Sequence, residues 1–354
     1  MDALDSPSNP ASLPAWRNDS VLKIEMPRPG IIIAIPQNGS SEPLVISGGI
    51  HGNERAGVVT LDQIVEAITQ GTLPVRRPVI FVYGNLEAMR ANNRKGARTA
   101  PHDTGRRSNM NRCFGSTGST DQQSSSEARA NIIKEVLAVE LAGQRGVVGI
   151  DVHQSFFVPT VEMVRGNADR SEYTYSMLYP NKGVDESLIW IYEQFSDIVA
   201  GAVLNPMNIE HETFAGYLAQ TFGAHSATFE QGTIGSTDPL TFVPQLLGNL
   251  CHKIAGEEKL YTPSGFDVWH CQRTILKESE HFTFLDEGGA PTEKVPRDFA
   301  PVGYSHMAQD GSVEHRVDPA CERLLFANGG VPVGDRAGVV ISSFETEVVP
   351  GAPI

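Results

Sequence analysis

The sequence predicts a mixed α/β fold followed by a β-rich C-terminal part. Three observations carry this. Over the first 258 residues, continuous apolar runs such as Val79-Ile80-Phe81-Val82-Tyr83 alternate with segments of helical period, the pattern of sheet strands buried between helices. A glycine-rich turn, Gly48-Gly49-Ile50-His51-Gly52-Asn53-Glu54, stands between a strand and a helix, where open α/β sheets place their ligand sites. After about Glu258 the pattern becomes short alternating strands separated by turns rich in Gly, Pro and Asp. The expected division is an α/β unit over 1–258 and a β-rich unit over 259–354.

Taken in order, residues 1–20 read as a loose arm, and Val21 to Met26 with Ile31 to Pro36 as a hairpin or edge strands. Pro43 to Ser47 forms the strand entering the glycine turn. Arg55 to Gln70 leaves it as a helix, with Val58, Leu61, Ile64, Val65 and Ile68 on one face and Gly71 as its stop. Residues 115–126 are low in complexity and expected to be mobile. Ser124 and Glu127 are spaced as a capping box for a helix reaching Leu141, and Val147 to His153 is the next strand. Residues 160–184 give no clear period. Glu186 to Val203 reads as one amphipathic helix, Ser226 to Phe229 as a short strand and Leu240 to Ala255 as a helix. Val268 to Leu276, His281 to Leu285, Glu322 to Phe326 and Gly338 to Phe344 read as strands of the β-rich part.

Composition narrows the function. The net charge is −14, which disfavours a general binder of nucleic acid or anionic membranes. No apolar run approaches the roughly 20 residues that span a bilayer. The N-terminus lacks the basic and apolar regions of a signal peptide, so a cytoplasmic location is expected. The cysteines at 113, 251, 271 and 321 form no CxxC pair and read as core or incidental thiols. Against this acidic background residues 86–112 are basic: Arg90, Arg94, Lys95, Arg98, Arg106, Arg107 and Arg112 face only Glu87 and Asp103. Most charge runs are solvated loops, but this one follows a strand end and can reach the same crevice as the glycine turn.

His51 and Glu54 offer an imidazole nitrogen and a carboxylate oxygen, both good zinc ligands. A histidine three residues from a glutamate is more often a solvated pair. The flanking glycines, the strand-end position and a second strand-end histidine, His153 in Ile150-Asp151-Val152-His153, shift the balance. Two histidines and one glutamate are a ligand set of catalytic zinc, which leaves a position open for water.

Several motifs then coincide: Gly48 to Glu54, Gly84-Asn85 with Ala88-Met89-Arg90, Asn111-Arg112-Cys113-Phe114, Asp151-Val152-His153, and Thr228-Phe229-Glu230-Gln231-Gly232. Further on stand Arg273-Thr274-Ile275-Leu276-Lys277, His281-Phe282, Leu325-Phe326-Ala327-Asn328 and Arg336-Ala337-Gly338. With these the chain resembles the succinylglutamate desuccinylase and aspartoacylase family over nearly its whole length, and the C-terminal motifs favour the desuccinylase branch. The resemblance implies a zinc-carboxypeptidase-like core with a mixed, largely parallel sheet flanked by helices. It implies one Zn2+ per subunit held by His51, Glu54 and His153, Glu230 as general base, and Arg94, Asn111 and Arg112 as substrate contacts. Asp151 would hold a ligand histidine or cap the strand end. The implied activity is hydrolysis of N2-succinyl-L-glutamate to succinate and L-glutamate, within arginine catabolism by the succinyltransferase route.

The residue types suit that chemistry. Arginines match a small anionic substrate with several carboxylates, and Arg94, Arg98 and Arg112 could form such a patch, although Arg98, Arg106 and Arg107 read more readily as solvated than Arg94 and Arg112. Asn109 stands where the family carries an aspartate, the segment from Lys95 to Ser108 is long, and Gln154-Ser155-Phe156-Phe157 and Gln231 are unusual. These departures point more to substrate selection than to metal chemistry. The rival readings are an acylase for another N-acyl amino acid such as N-acetyl-aspartate, a carboxypeptidase-like enzyme, and a metal-binding interaction protein without catalysis. The retained Glu230 speaks against the last.

Overall fold

A computed structural model describes residues 21–95, 105–115, 123–155, 175–178, 184–195, 201–204, 212–234, 243–256, 267–277, 279–285, 291–292, 304–308, 311–315, 322–326, 333 and 336–344. The N-terminal arm, residues 96–104 of the long basic loop and residues 116–122 of the low-complexity segment lie outside them.

Most described strands join one sheet of 11 strands. The hairpin β1 (Leu22–Arg28) and β2 (Ile31–Pro36) forms one edge. Next come β4 (Val79–Tyr83), β3 (Leu44–Gly48), β5 (Val148–Ser155) and β8 (His225–Thr233). The sheet continues through β6 (Tyr175–Leu178), β7 (Gly201–Leu204), β9 (Asp267–Leu276), β15 (Arg336–Phe344) and β14 (Glu322–Leu325). It is mixed, as expected, but less parallel than expected. The parallel pairs are β4–β3–β5–β8 at the centre and β6–β7–β9 beyond it. Antiparallel pairs occupy both edges and the β8–β6 join. A second sheet of four strands follows the order β11 (Pro291–Thr292), β10 (Thr283–Leu285), β12 (Tyr304–Ala308) and β13 (Gly311–His315). Strands β9, β15 and β14 thus extend the central sheet from within the C-terminal part of the chain.

Helices cover both faces. On one, α1 (Arg55–Thr69), α4 (Val184–Phe195) and α6 (Val243–Ile254) pack Leu61, Ile64, Ile191, Phe195, Leu250 and Ile254 against Leu44, Ile46, Ile150 and Phe229. On the other, α3 (Ser125–Glu140) and α5 (Phe214–Phe222) bury Ile133, Leu137, Phe214 and Leu218 against Val45, Ile80 and Val82. Neighbouring strand residues serve opposite faces because side chains alternate along a strand. Among the described residues no helix is long and apolar enough to cross a membrane.

One expected element divides. Residues Glu186 to Val203 are not a single helix: α4 ends at Phe195, and Gly201–Leu204 is a fully buried strand paired with β6 and β9. A four-residue apolar run carries no period of its own, so its two strand neighbours decide its state. Strand β6 and helix α5 had no clear signal in sequence. Cys113 and Cys271 are buried, and burial pushes both thiols up to about 12, as suits packing residues.

The N-terminus of α3 anchors the segment that follows the basic loop. The capping box forms as expected: Ser124 Oγ accepts from Glu127 N at 3.1 Å, and Glu127 Oε2 accepts from Ser124 N at 2.8 Å. The same carboxylate takes both arms of Arg107, Nε at 2.9 Å and Nη2 at 2.8 Å. Arg107 is therefore a paired residue and not the solvated one expected. Ser124 Oγ and Ser126 Oγ donate to the carbonyls of Arg107 and Ser108 at 2.5 and 2.9 Å. A short 3-10 turn at Met110–Arg112 follows, with Met110 buried in the core beside Val45, Ile80 and Val82.

This network titrates. Burial would raise the Glu127 carboxyl, but its bonds to Arg107 and Ser124 outweigh that and hold it below the ordinary carboxylate range. A depressed folded-state value stabilises the fold above the unfolded value of about 4.3, and the contribution is lost as pH falls through the folded value. Glu127→Gln is expected to cost about 1 kcal/mol at pH 7, the upper end for a pair that solvent partly screens. The gap in melting temperature from the parent should close as the pH falls below about 4. A gap that stays constant with pH would show that the charge contributes nothing.

Candidate metal centre

The site is built where the central parallel strands end. The turn after β3 is pressed against its neighbours so closely that side chains would not fit. A Cβ on Gly52 would lie 2.0 Å from the carbonyl carbon of Ala88, and one on Gly57 would lie 2.8 Å from both Gly48 Cα and the Val152 carbonyl oxygen. The first turn of α1 therefore rests directly on β3 and β5.

This contact brings His51, Glu54 and His153 together. One ligand atom from each lies within 4.8 Å of the others, and the three residues are 3%, 1% and 3% exposed. His51 Nδ1 is 2.8 Å from Glu54 Oε1, and His153 Nδ1 is 2.7 Å from Glu54 Oε2. The rings meet edge to face, with centroids 4.9 Å apart.

The outward nitrogens fix the tautomers. His153 Nε2 lies 2.8 Å from Asp151 Oδ2, whose other oxygen accepts from Ser47 Oγ at 2.6 Å. His51 Nε2 lies 3.0 Å from Asn109 Oδ1. That oxygen also accepts from the backbone N–H of Asn111 at 3.1 Å, which orients the amide. Each Nε2 therefore serves as a donor, and each Nδ1 turns inward toward the carboxylate. Inward nitrogen lone pairs converging on a carboxylate require a cation between them, a proton or a metal ion. The donor set fits zinc, with an oxygen acceptor behind each histidine in the arrangement usual for metal-bound imidazoles.

Charge is arranged to match. Burial, then the nearby Arg94 guanidinium, lowers His51 to about 4, so that ring stays neutral. Burial would raise Glu54, but His153 and Arg94 outweigh it and hold the carboxyl well below its usual range. Burial opposes protonation of His153 as well, yet Asp151 and then Glu54 carry it well above an ordinary imidazole.

Glu230 stands beside this group. Its register partner on the adjacent parallel strand is His153, one step beyond Asp151 and Thr228, with Ser47 in register on the other side of Asp151. Paired residues on parallel neighbours point to one face, about 4.8 Å apart. Ser47, Asp151, Thr228, His153 and Glu230 thus make a polar patch at the strand ends, on the face otherwise packed by α3 and α5. Glu230 is 9% exposed.

The other expected residues lie nearby with their side chains already engaged. Arg94 Nη1 sits 2.6 Å from Glu54 Oε1. Arg112 Nη1 donates to the Asn111 carbonyl at 2.7 Å. Asn111 Oδ1 accepts from Phe214 N at 3.0 Å and so ties the 3-10 turn to the start of α5. Asn109 and Gln154, expected to bear more on substrate selection, both touch the candidate ligands. Asn109 holds His51, and Gln154 N donates to Glu54 Oε2 at 3.2 Å. Gln154 follows His153 and Asn109 lies two residues before Asn111, but nothing local tells where their side chains go.

Comparison with known proteins agrees with this geometry. The family model for the succinylglutamate desuccinylase/aspartoacylase catalytic domain matches residues 40–248, more than half of the chain. The succinylglutamate desuccinylase of Pseudoalteromonas atlantica is 27% identical over 343 residues, covering 93% of this chain and 88% of the relative. That of Pseudomonas aeruginosa is 29% identical over 309 residues, covering 84% and 83%. In fold the chain is similar to the solved succinylglutamate desuccinylase of Vibrio cholerae, with a TM-score of 0.70, 19% identity, and 91% and 88% of the two chains covered. The chain belongs to the succinylglutamate desuccinylase/aspartoacylase family, within its desuccinylase branch.

Proposed function

We propose that this protein is a zinc-dependent amide hydrolase that cleaves N2-succinyl-L-glutamate to succinate and L-glutamate. The observation that carries the reading is the convergence of His51, Glu54 and His153 beside Glu230 on adjoining strands. The relatives named succinylglutamate desuccinylase, matched over most of their length, favour this substrate. The reading includes a zinc-carboxypeptidase-like core in residues 1–258, which hold every candidate site residue, with residues 259–354 as a β-rich second unit. It also includes a cytoplasmic role in arginine breakdown.

His51, Glu54 and His153 would hold one zinc ion. When bound, it supplies Lewis-acid polarisation of the amide carbonyl and a lowered pKa for water. Glu230 takes a proton from the attacking water and returns it to the leaving amine nitrogen. Glu54, kept ionised by its surroundings, offsets the charge of the ion. Arg112 and Arg94 orient the substrate by its carboxylates, and a guanidinium near the former carbonyl oxygen stabilises the negative charge that develops there. Asn109 and Asp151 hold the two imidazoles in place through the bonds to their outer nitrogens.

Three measurements test this. Metal analysis of His51→Ala and His153→Ala should show near-complete loss of bound zinc, and stoichiometric metal in both would move the site elsewhere. Glu230→Gln should keep its zinc yet lose at least about 100-fold in turnover, the lower end for general base catalysis. A variant with intact metal and a near-parental rate would assign the base to another residue. Arg112→Ala should lower kcat/KM for N-succinyl-glutamate by roughly 30- to several-thousand-fold, from a stranded charge worth about 2–5 kcal/mol. The loss should be smaller for N-acetyl-glutamate where Arg112 meets the succinyl carboxylate that this substrate lacks, and a near-parental kcat/KM on both would take Arg112 out of the substrate contacts. Arg112 is the cleaner probe because Arg94 also touches Glu54.

A further inference from the structure

We propose that Gln154 is a positioning residue of the metal centre: it caps helix α1 in place of Glu54, which leaves the Glu54 carboxylate free to ligate. The inference rests on the metal-centre reading above and adds a residue to it. Glu54 is the N-cap of α1, with the extended backbone (φ −95°, ψ 90°) that normally lets a cap side chain fold back onto the first turn. Its side chain makes no such bond. It points instead at His51 and His153. The first turn still exposes amide donors that need acceptors.

Gln154 supplies one. Its Oε1 accepts from the backbone N–H of Ala56 at 3.0 Å, and Ala56 is the second residue of the helix, a position that a cap side chain ordinarily serves. The backbone N–H of Gln154 meanwhile donates to Glu54 Oε2 at 3.2 Å. One residue therefore holds the helix end with its side chain and the ligand carboxylate with its backbone. Gln154 follows His153 on β5, so alternation along the strand sends its side chain to the α1 face while His153 faces the site. The two bonds join a strand carrying one candidate ligand to a helix carrying another, across 98 and 100 residues of sequence. At 4% exposure, water does not readily replace the Gln154 carbonyl oxygen at Ala56 N. Without it, the helix start loses one of its ties to β5, and the spacing of Glu54 from His153 rests on the glycine contact and the Gln154 backbone bond alone.

The test measures zinc dissociation constants by chelator competition on the purified full chain, with thermal stability recorded alongside. Gln154→Leu keeps the size and removes the acceptor, and its dissociation constant should rise about 10- to 100-fold, the usual range for a residue that supports a metal ligand. Gln154→Glu keeps an acceptor oxygen at the same reach and should recover most of that affinity. Ile68→Val trims a buried side chain near the far end of α1, away from the ligands. It should lower stability by a comparable amount while leaving zinc affinity within about threefold of the parent. Should Gln154→Leu fail to fold, Gln154→Asn, too short to reach Ala56 N, takes its place with the same expectation. Parent-like affinity in the Leu or Asn variant overturns the proposal, as does failure of Gln154→Glu to recover affinity. An equal loss in Ile68→Val also overturns it, because general destabilisation would then explain the result. A parent protein that takes up no zinc overturns the metal-centre reading, and the role of Gln154 falls with it.

Discussion

The Glu54 carboxylate is the point on which the site depends. One oxygen meets His51 Nδ1 and Arg94, and the other meets His153 Nδ1 and the Gln154 amide. A carboxylate 1% exposed is costly to keep ionised unless its surroundings supply positive charge and donors. Here they come from four separate places in the chain. The glycine turn carries His51, the basic segment carries Arg94, and the end of β5 carries His153 and Gln154. The helix start beneath Glu54 adds its own positive end. No single element could assemble this, so the sheet must hold β3 next to β5 and α1 across both.

Close backbone approach is the constraint that makes such assembly possible. Gly48, Gly52 and Gly57 stand where helix, turn and strand touch without side chains between them. The polar patch beyond them follows from strand alternation. Ser47, Asp151 and Thr228 share one level of the sheet, and His153 and Glu230 share the next, on a face that is otherwise apolar. The Asp151 carboxylate joins two of them, taking Ser47 Oγ on one oxygen and His153 Nε2 on the other. The patch opens where the strands end and the packing of α3 and α5 gives way to the 3-10 turn.

That turn is positioned from outside. The start of α3 grips residues 107 and 108 through Ser124, Ser126 and Glu127, and the start of α5 grips Asn111 through Phe214. Asn109 lies between these two anchors, and its oxygen reaches His51. Two helix N-termini, each with donors and acceptors to satisfy, thus serve as fixed posts for the polar groups of a segment whose Met110, Cys113 and Phe114 are buried in the core. Arg129 on α3 adds a third tie by donating to the carbonyls of Pro29, Tyr83 and Gly84, which holds the end of β4 against the hairpin turn.

The sequence by itself determined what is encoded within a few residues. The apolar run of β4, the periodic face of α1, the Ser124–Glu127 capping box and the glycine turn depend on local period and cap chemistry, and they form where the residues predict. The His51, Glu54 and His153 set was visible as residue types at strand ends, and these side chains do converge. Tertiary structure alone decided what depends on partners far along the chain. Whether Gly201–Leu204 continued a helix or became a strand was settled by β6 and β9. Arg107 found Glu127, Asn109 found His51, and Gln154 found both Ala56 and Glu54. A polar side chain declares what it can bond but not to what. The last three contacts span 58, 98 and 100 residues, and only the order and register of the sheet bring such residues within reach of one another.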